Sequence, residues 1–240
     1  MAIVSRDVAY ADDGARLTGV LFSSDSAGGR RPGILLIHGG AGLDDHARKQ
    51  ARRYAELGYT VLACDMYGEG VAGDRERVTA TLSDLRANPD VLTRRGMAGL
   101  TVLLNAAEVD GRSAAVGFCF GGLAALTLAR SGAGLGGVIS MHGALSTVRR
   151  AEPGAVTAKV LVCHGASDPH VPMTDVVAFC EEMANAGADW QVQIYGGAVH
   201  GFTHDDAVPG RIRGVEYDPK TDRRSFVAAT AFLSEVFSES

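Results

Sequence analysis

The sequence predicts an α/β fold in which helices cover both faces of a mostly parallel central sheet. Short apolar runs alternate with longer stretches of helical periodicity, which is the pattern of successive β-α units. Several of the runs are apolar throughout, as parallel strands buried on both faces tend to be. Hydrophobic residues make up 46% of the 240 residues and charged residues 21%, an ordinary balance for a folded chain. We therefore expect one domain that spans residues 1–240.

Seven apolar runs are the candidate strands of this sheet. In chain order they read ARLTGVLF, GILLIHG, TVLACD, SAAVGF, GGVISMHG, KVLVCHG and WQVQIYG. The strands that precede GILLIHG are expected to pair antiparallel at one edge of the sheet. The later strands are expected to run parallel, because stretches of helical period separate them.

Helix signals lie between the strands. The stretch DDHARKQARRYAELG predicts a helix that begins at an aspartate cap and ends at Gly58. A second helix is expected to begin at Asn88 as its cap, with Pro89 in the first turn. One face of this helix is predicted to carry Met97, Leu100, Leu104 and Ala107. Looser stretches include YGEGVAGDRERV and THDDAVPGRIRGVEYDPKTDRR, and the second is long enough to be a disordered excursion or a site cover.

The charge pattern excludes several classes of function. The 28 acidic and 23 basic residues are scattered, so the chain lacks the basic stripe that nucleic acid or an anionic membrane requires. No run reaches the roughly 18 apolar residues of a spanning helix, and the N-terminal residues become charged too early for a signal peptide. We expect a cytoplasmic protein, a monomer or a homodimer, that binds neither nucleic acid nor membranes.

The four cysteines are widely spaced and form no C-x-x-C pair or zinc-type cluster with histidine. Cys64 and Cys163 lie within apolar runs, where a buried thiol acts as a small hydrophobic side chain. Cys180 falls in a helical pattern and is interpreted in the same way. Cys119 differs, because it stands between two glycines where an apolar run meets a helix pattern rich in small residues.

The five residues GFCFG, 117–121, have the form Gly-x-nucleophile-x-Gly between a predicted strand and a predicted helix. In α/β hydrolases this arrangement is the nucleophile elbow, usually with Ser as the nucleophile. The flanking glycines are needed because side chains there would collide with the neighbouring strand and helix. The positive end of the helix favours a thiolate on Cys119. The alternative interpretation is a tight strand-to-helix turn without catalytic function.

A candidate acid and a candidate base follow Cys119 in the chain. Asp168 comes just past the strand KVLVCHG, and His200 just past the strand WQVQIYG. The α/β hydrolases place nucleophile, acid and histidine in this order at the carboxyl ends of strands. An adjacent imidazole takes the thiol proton, while the carboxylate holds the tautomer and stabilises the imidazolium. The order predicts a Cys119–Asp168–His200 triad, although Asp168 or His200 alone would be read as a loop residue.

The stretch LLIHGGAGLDDH supplies the expected oxyanion hole. In this fold the turn after an early strand donates one backbone N–H to the oxyanion, and the residue after the nucleophile donates the other. Gly39 or Gly40 is the candidate for the first donor, and Phe120 for the second.

These motifs together resemble the dienelactone hydrolase family of α/β hydrolases. The matching pieces are DMYGEG, GFCFGG, HGASDPHVP and YGGAVHGF, and the resemblance extends from about residue 33 to residue 203. It implies an α/β hydrolase fold with Cys119 as the nucleophile, Asp168 as the acid and His200 as the base. It also implies a small ester or lactone as the substrate, and hydrolysis by this route requires neither a metal nor a cofactor.

One departure from the family concerns the residue directly after the strand GILLIH. Dienelactone hydrolases commonly have a glutamate there, which accepts the thiol proton when substrate arrives, and this sequence has Gly39. The departure predicts a Cys–His pair that is permanently available for reaction. Glu69, on the neighbouring loop, is the carboxylate that could reach the site instead.

A second departure concerns the arginines with which the family's archetype binds a substrate carboxylate. Arg75 or Arg77 is the candidate for one of them, and His204 occupies the region of the other. His142 and His38 end apolar strands on the same side of the sheet. Each of these two histidines is interpreted either as lining the pocket or as a structural residue.

The leading interpretation is therefore an ester or lactone hydrolase that forms a thioacyl-enzyme intermediate. The alternative is a non-enzymatic protein on a hydrolase scaffold that binds a small ligand or senses oxidants through Cys119. A serine-type peptidase or lipase is disfavoured, because no serine occupies the elbow and no large apolar lid segment is present. The sequence contains no dinucleotide, P-loop or metal-helix motif, so we expect no cofactor and no metal.

Overall fold

The computed structural model describes residues 2–25 and 29–238, and a sheet of eight strands forms its centre. The strands are β1 (Ile3–Asp12), β2 (Ala15–Ser24), β3 (Arg31–Ile37), β4 (Thr60–Cys64), β5 (Val109–Phe118), β6 (Gly137–Met141), β7 (Lys159–Gly165) and β8 (Trp190–Tyr195). Their spatial order is β1-β2-β4-β3-β5-β6-β7-β8. The pairs β1–β2 and β2–β4 are antiparallel, and the other pairs are parallel. The predicted mostly parallel sheet with an antiparallel edge is confirmed.

Helices cover both faces of this sheet, as expected. They are α1 (Asp45–Glu56), α2 (Arg75–Ala87), α3 (Pro89–Leu104), α4 (Phe120–Arg130), α5 (Met173–Ala186) and α6 (Pro219–Ser238). Successive residues of β3 point to opposite faces, so Ile34 packs in one apolar cluster and Leu35 in the other. α1 and α6 contribute to the Ile34 cluster, whereas α3, α4 and α5 contribute to the Leu35 cluster.

Two helices lie in stretches that the sequence predicted to be loose. α2 was missed because its surface is mostly polar and Leu85 is its buried residue, so it shows no apolar stripe. α6 begins at Pro219, inside the stretch from 203 to 224 that was expected to be a disordered excursion or part of a site cover, and continues well beyond it. Proline fits a first helical turn because it needs no N–H partner there.

The predicted details of α3 need correction. Asn88 lies at the cap position but caps nothing with its side chain, because its amide donates to the backbone and side chain of Asp84. The helix ends at Leu104, so Ala107 lies beyond it. The residues that α3 buries are Leu92, Gly96, Gly99, Leu100 and Leu103, while Met97 and Leu104 are partly buried.

The thiols of Cys64 and Cys163 are buried in strands as expected, and burial raises the pKa of Cys163 to about 12. Cys180 on α5 is half-buried. Within residues 2–25 and 29–238, no helix has both the length and the apolar character needed to span a bilayer.

The parallel strands bring three candidate catalytic residues to one edge of the sheet. Cys119 follows the last residue of β5 directly, Asp168 follows β7, and His200 follows β8. Because neighbouring parallel strands end at the same edge, residues far apart in the chain meet there.

Candidate active site

Cys119 sits in a sharp turn between β5 and α4, with a backbone φ of 53° and ψ of −112°. A non-glycine residue rarely adopts a positive φ, so the surrounding packing must hold it there. A Cβ on Gly117 would lie 1.8 Å from the carbonyl oxygen of Gly121, and a Cβ on Gly121 would lie 2.1 Å from the carbonyl oxygen of Ile37. The glycines of the elbow are therefore required by close backbone contacts.

His200 lies between the thiol and the carboxylate. Its Nε2 atom is 3.1 Å from Cys119 Sγ, and its Nδ1 atom is 2.8 Å from Asp168 Oδ2. A carboxylate oxygen only accepts hydrogen bonds, so Nδ1 carries a proton and donates it to Asp168. The structure thus brings together the three residues that the sequence predicted as a triad.

Asp168 is held by its own loop, the acid loop, residues 166–171. The backbone N–H groups of His170 and Val171 donate to Oδ1 at 2.8 and 3.1 Å, which leaves Oδ2 for His200. Burial alone would raise the pKa of the Asp168 carboxyl. The hydrogen bond and charge of His200, with these two N–H groups, hold that pKa below its usual range.

Cys119 and His200 stabilise each other in their charged forms. Burial raises the pKa of the Cys119 thiol, but the hydrogen bond and charge of His200 lower it below its ordinary value overall. Burial lowers the pKa of His200, but the bonds to Asp168 and Cys119 raise it to about 10. These opposite shifts favour a thiolate–imidazolium pair at neutral pH.

The backbone N–H groups of Phe120 and Gly40 also lower the pKa of the Cys119 thiol and so favour its thiolate. The backbone N–H groups of Gly40 and Phe120 are therefore the two donors placed to stabilise a negative charge beside the sulfur. Gly39 serves differently, since its carbonyl accepts from His38 Nδ1 at 2.7 Å. The hydroxyl of Tyr67 donates to the Gly40 carbonyl at 2.9 Å, which fixes the loop from its other side.

A cavity of about 400 Å³ opens beside Cys119. It is lined by Gly40, Ala41, Asp44, Cys119, His200, Gly201, His204, Asp206, Ala207, Val208, Arg211, Ile212 and Val215. A second cavity of about 320 Å³ adjoins it and is lined by Arg86, Cys119, Ala144, His170, Val171, His200, Ile212 and Val215. The reactive sulfur therefore stands between two halves of one cleft.

Three of the residues predicted to bind substrate lie elsewhere. Glu69 pairs with the exposed Arg16 at 2.7 Å instead of reaching the thiol. Arg75 lines a separate surface groove on α2, and Arg77 donates to the carbonyl of Gly70. Both arginines belong to the first turn of α2, and neither lines the two cavities beside Cys119, although they follow the DMYGEG motif closely in sequence.

The other predicted residues belong to a group of buried and partly buried histidines near the site. His204 lines the cavity and stacks on His46 with ring centroids 3.7 Å apart. His142 lies behind the cavity, fully buried, with Nε2 2.8 Å from the hydroxyl oxygen of Thr203. His38 is likewise buried and supports the Gly39 loop. Burial lowers the pKa of His142 and of His204, so both rings are neutral at pH 7.

A side chain at position 39 would point toward His204. A Cβ built on Gly39 lies 3.7 Å from His204 Nε2, in ordinary contact distance. Asp44 is the carboxylate near this loop that lines the cavity, and its Oδ1 caps α1 by accepting from Ala47 N at 2.9 Å. Asp44 is thus engaged in capping α1, and the side chain that hydrogen-bonds the Cys119 thiol is His200.

Two arginines that the sequence pattern did not single out, Arg86 and Arg211, line the two halves of the cleft. Arg86 is in the last turn of α2. Because this helix is mostly polar, it has no apolar stripe from which the side of the helix that faces the protein could be predicted. Arg211 belongs to the long stretch after His204, whose length was the available signal for a site cover. In the described ranges, no group of three or more His, Cys, Asp or Glu side chains is arranged to hold a metal ion.

Comparison with known proteins gives one family. The model of the dienelactone hydrolase family matches residues 17–237. The dienelactone hydrolase-like promiscuous phosphotriesterase P91, from metagenomic libraries, is 37% identical with a TM-score of 0.92, over 98% of this chain and 99% of its own. Est1E from Butyrivibrio proteoclasticus is 16% identical with a TM-score of 0.67, over 97% and 99% of the two chains, and shares the fold. An uncharacterized protein of Caenorhabditis elegans is 37% identical over 125 residues, 51% of this chain and 79% of the relative.

Proposed function

Because the chain belongs to the dienelactone hydrolase family and has the α/β hydrolase fold, we propose that it hydrolyses small esters or lactones through Cys119, Asp168 and His200. The observation that carries the proposal is the continuous line of contacts from sulfur to imidazole to carboxylate, 3.1 and 2.8 Å long. This line ends in a cleft where two backbone N–H groups face the sulfur.

The first half of the reaction acylates Cys119. The thiolate attacks the carbonyl carbon, a C–S bond forms, and the carbonyl electron pair moves to oxygen, where Phe120 N–H and Gly40 N–H receive the charge. When the oxyanion collapses, the C–O bond of the ester breaks. The leaving oxygen takes the proton from the His200 imidazolium, and a thioester with neutral His200 remains.

The second half releases the acid. Neutral His200 accepts a proton from water while the water oxygen attacks the thioester carbonyl, again with the oxyanion at the two N–H groups. Collapse of this intermediate breaks the C–S bond and restores the thiolate–imidazolium pair. Asp168 stabilises the imidazolium in both halves through Nδ1.

The chemistry of the thiolate restricts the substrate. The leaving oxygen must depart more readily than sulfur, so activated esters and strained lactones suit this site better than amides. Since Gly39 stands where the family commonly has a glutamate, the pair with His200 is ready before substrate binds. The cavity of about 400 Å³ limits the substrate to a small molecule.

The test is the hydrolysis of p-nitrophenyl acetate and of a panel of small lactones. We expect Cys119→Ala to lower kcat/KM by about 10³-fold or more, because removing a nucleophile leaves only binding and the oxyanion hole. Cys180→Ala is the matched control, since Cys180 is a half-buried thiol outside the cleft, and it should retain the wild-type rate. Full activity of Cys119→Ala would refute the proposal, and inertness of the wild type toward every substrate would favour ligand binding or oxidant sensing.

A second activity is favoured by the likeness to P91, which is described as a promiscuous phosphotriesterase. A thiolate beside two N–H donors could attack phosphorus as well as carbon, with the phosphoryl oxygen in the oxyanion hole. Release of p-nitrophenol from diethyl p-nitrophenyl phosphate by the wild type, and not by Cys119→Ala, would support it.

A further inference from the structure

The segment that follows His204 covers the cleft. This cover segment, residues 205–217, places Ile212 and Val215 in both halves of the cleft, beside Cys119. Its own backbone bonds are short-range, such as Arg211 N to Val208 O at 3.1 Å. Ile212 is 58% exposed, so burial alone holds this part of the segment only weakly.

The far end of the cover segment is hydrogen-bonded through its backbone to the loop that carries His200, residues 196–204, called the His200 loop below. His200 N donates to Gly214 O at 3.0 Å, and Glu216 N donates to His200 O at 3.2 Å. Gly214 also lies directly against the acid loop, because a Cβ there would be 2.1 Å from Pro169 Cγ. The acid loop, the His200 loop and the cover segment therefore meet at Gly214.

At this junction one side chain of the acid loop reaches the backbone of the cover segment. His170 Nε2 is 2.8 Å from the carbonyl oxygen of Arg213, and a carbonyl only accepts, so Nε2–H is the donor. The same residue supports the triad through its backbone, whose N–H donates to Asp168 Oδ1. Its ring meets the His200 ring edge-on, with centroids 5.3 Å apart.

We propose that His170 is a positioning residue that fastens the cover segment to the acid loop and thereby sets the width of the cleft at Ile212 and Val215. The backbone and the side chain of His170 have separate roles. Its backbone N–H orients Asp168, and this bond persists whatever the side chain is. Its side chain holds Arg213, so replacing that side chain loosens the cover and leaves the contact between Asp168 and His200 in place.

The first test measures how often the cover segment opens, and it needs no measurement of enzyme activity. Trypsin cleaves after Arg211 and Arg213, so the rate of cutting at these two bonds, followed by mass spectrometry, reports how often the segment opens. We expect about tenfold faster cutting in His170→Ala, in line with the loss of one hydrogen bond. His170→Gln keeps an N–H donor at similar reach and should stay within about twofold of wild type.

Lys49→Ala is the matched control, because Lys49 pairs with Asp205 at the other end of the same segment. This pair is exposed, so its loss should change cutting by less than about twofold. Equal cutting of wild type and His170→Ala would overturn the proposal, and so would equal acceleration in His170→Ala and His170→Gln. Should His170→Ala fail to fold, His170→Leu retains bulk against His200 without the donor and takes its place.

The second test is kinetic and rests on the proposed function. With p-nitrophenyl acetate and with a bulkier aryl ester, the main effect of His170→Ala should be on KM, which should rise about fivefold for the bulkier ester and return to within about twofold of wild type in His170→Gln, because the width of the cleft is what changes. A drop in kcat for both esters with unchanged KM would contradict this assignment. If no variant hydrolyses any ester, the proposed function fails, and the trypsin result still decides the positioning of the cover segment.

Discussion

At Cys119, burial and hydrogen bonding shift the pKa of the thiol in opposite directions. Burial disfavours the thiolate, whereas His200 and the N–H groups of Phe120 and Gly40 favour it, and the second group of effects prevails. His200 shows the mirror image, because its bonds to Asp168 and Cys119 outweigh burial and raise its pKa. The charged pair therefore depends on His200, and the elbow alone would leave a protonated thiol.

This dependence predicts the thiolate content at neutral pH. The pKa of Cys119 is lowered and that of His200 is raised to about 10, so we expect the ion pair to be lost on the alkaline side only as the pH rises through about 10, where the imidazolium gives up its proton. Thiolate absorbance at 240 nm, measured against Cys119→Ser, should therefore be present at pH 7 in the wild type. It should disappear at pH 7 in His200→Ala, because burial, the largest influence on the thiol pKa, is then opposed only by the N–H groups of Phe120 and Gly40. Equal absorbance in the wild type and His200→Ala would contradict the pairing.

Among the elements, the turn from β5 into α4 imposes the strictest sequence requirement. Gly117 touches the first turn of α4, and Gly121 touches the end of β3, so the helix lies directly on the strands. Close packing of this kind directs the first N–H groups of α4 at the sulfur, where the positive end of the helix dipole also points. The strain at Cys119 is sustained by these backbone contacts.

The contact of Gly121 predicts the cost of adding one methyl group. In Gly121→Ala the Cβ would meet the Ile37 carbonyl oxygen at 2.1 Å, and backbone atoms on both sides cannot move aside independently. We expect a loss of about 3 kcal/mol in the free energy of unfolding and a loss of esterase activity. Gly196→Ala is the control, since no atom lies within 4 Å of its Cβ and its φ is ordinary. Urea denaturation that finds the two variants equally stable would refute the close contact.

The same elements show where sequence reasoning reached its limit. The apolar strands and the elbow were predictable, because burial on both faces and the need for glycine leave marks in the local sequence. α2 was not, since a helix with one buried residue carries no periodic signal, and the candidate residues Arg75 and Arg77 lie on this helix, outside the two cavities beside Cys119. Arg86 and Arg211 reach the two halves of the cleft only through the folding of the chain, and no local sequence pattern records their placement.

At the scale of the whole molecule, the parallel sheet explains why residues 119, 168 and 200 converge. Each follows a different strand, and the order β5-β6-β7-β8 puts those strands close together with their carboxyl ends on one side. The cover segment then closes the cleft from a loop that joins β8 to α6. Regular strands position the triad, whereas an irregular segment borders the cleft that the proposed substrate would enter.

The central claim, that Cys119 carries the acyl group and His200 removes it, is tested most directly by intact-protein mass spectrometry after brief mixing with p-nitrophenyl acetate. We expect one acetyl group on Cys119 in the wild type that disappears with time, and no adduct in Cys119→Ala. In His200→Ala the acetyl group should form slowly and persist, because water then lacks its base. An adduct on another residue, or turnover by Cys119→Ala without any adduct, would contradict the account.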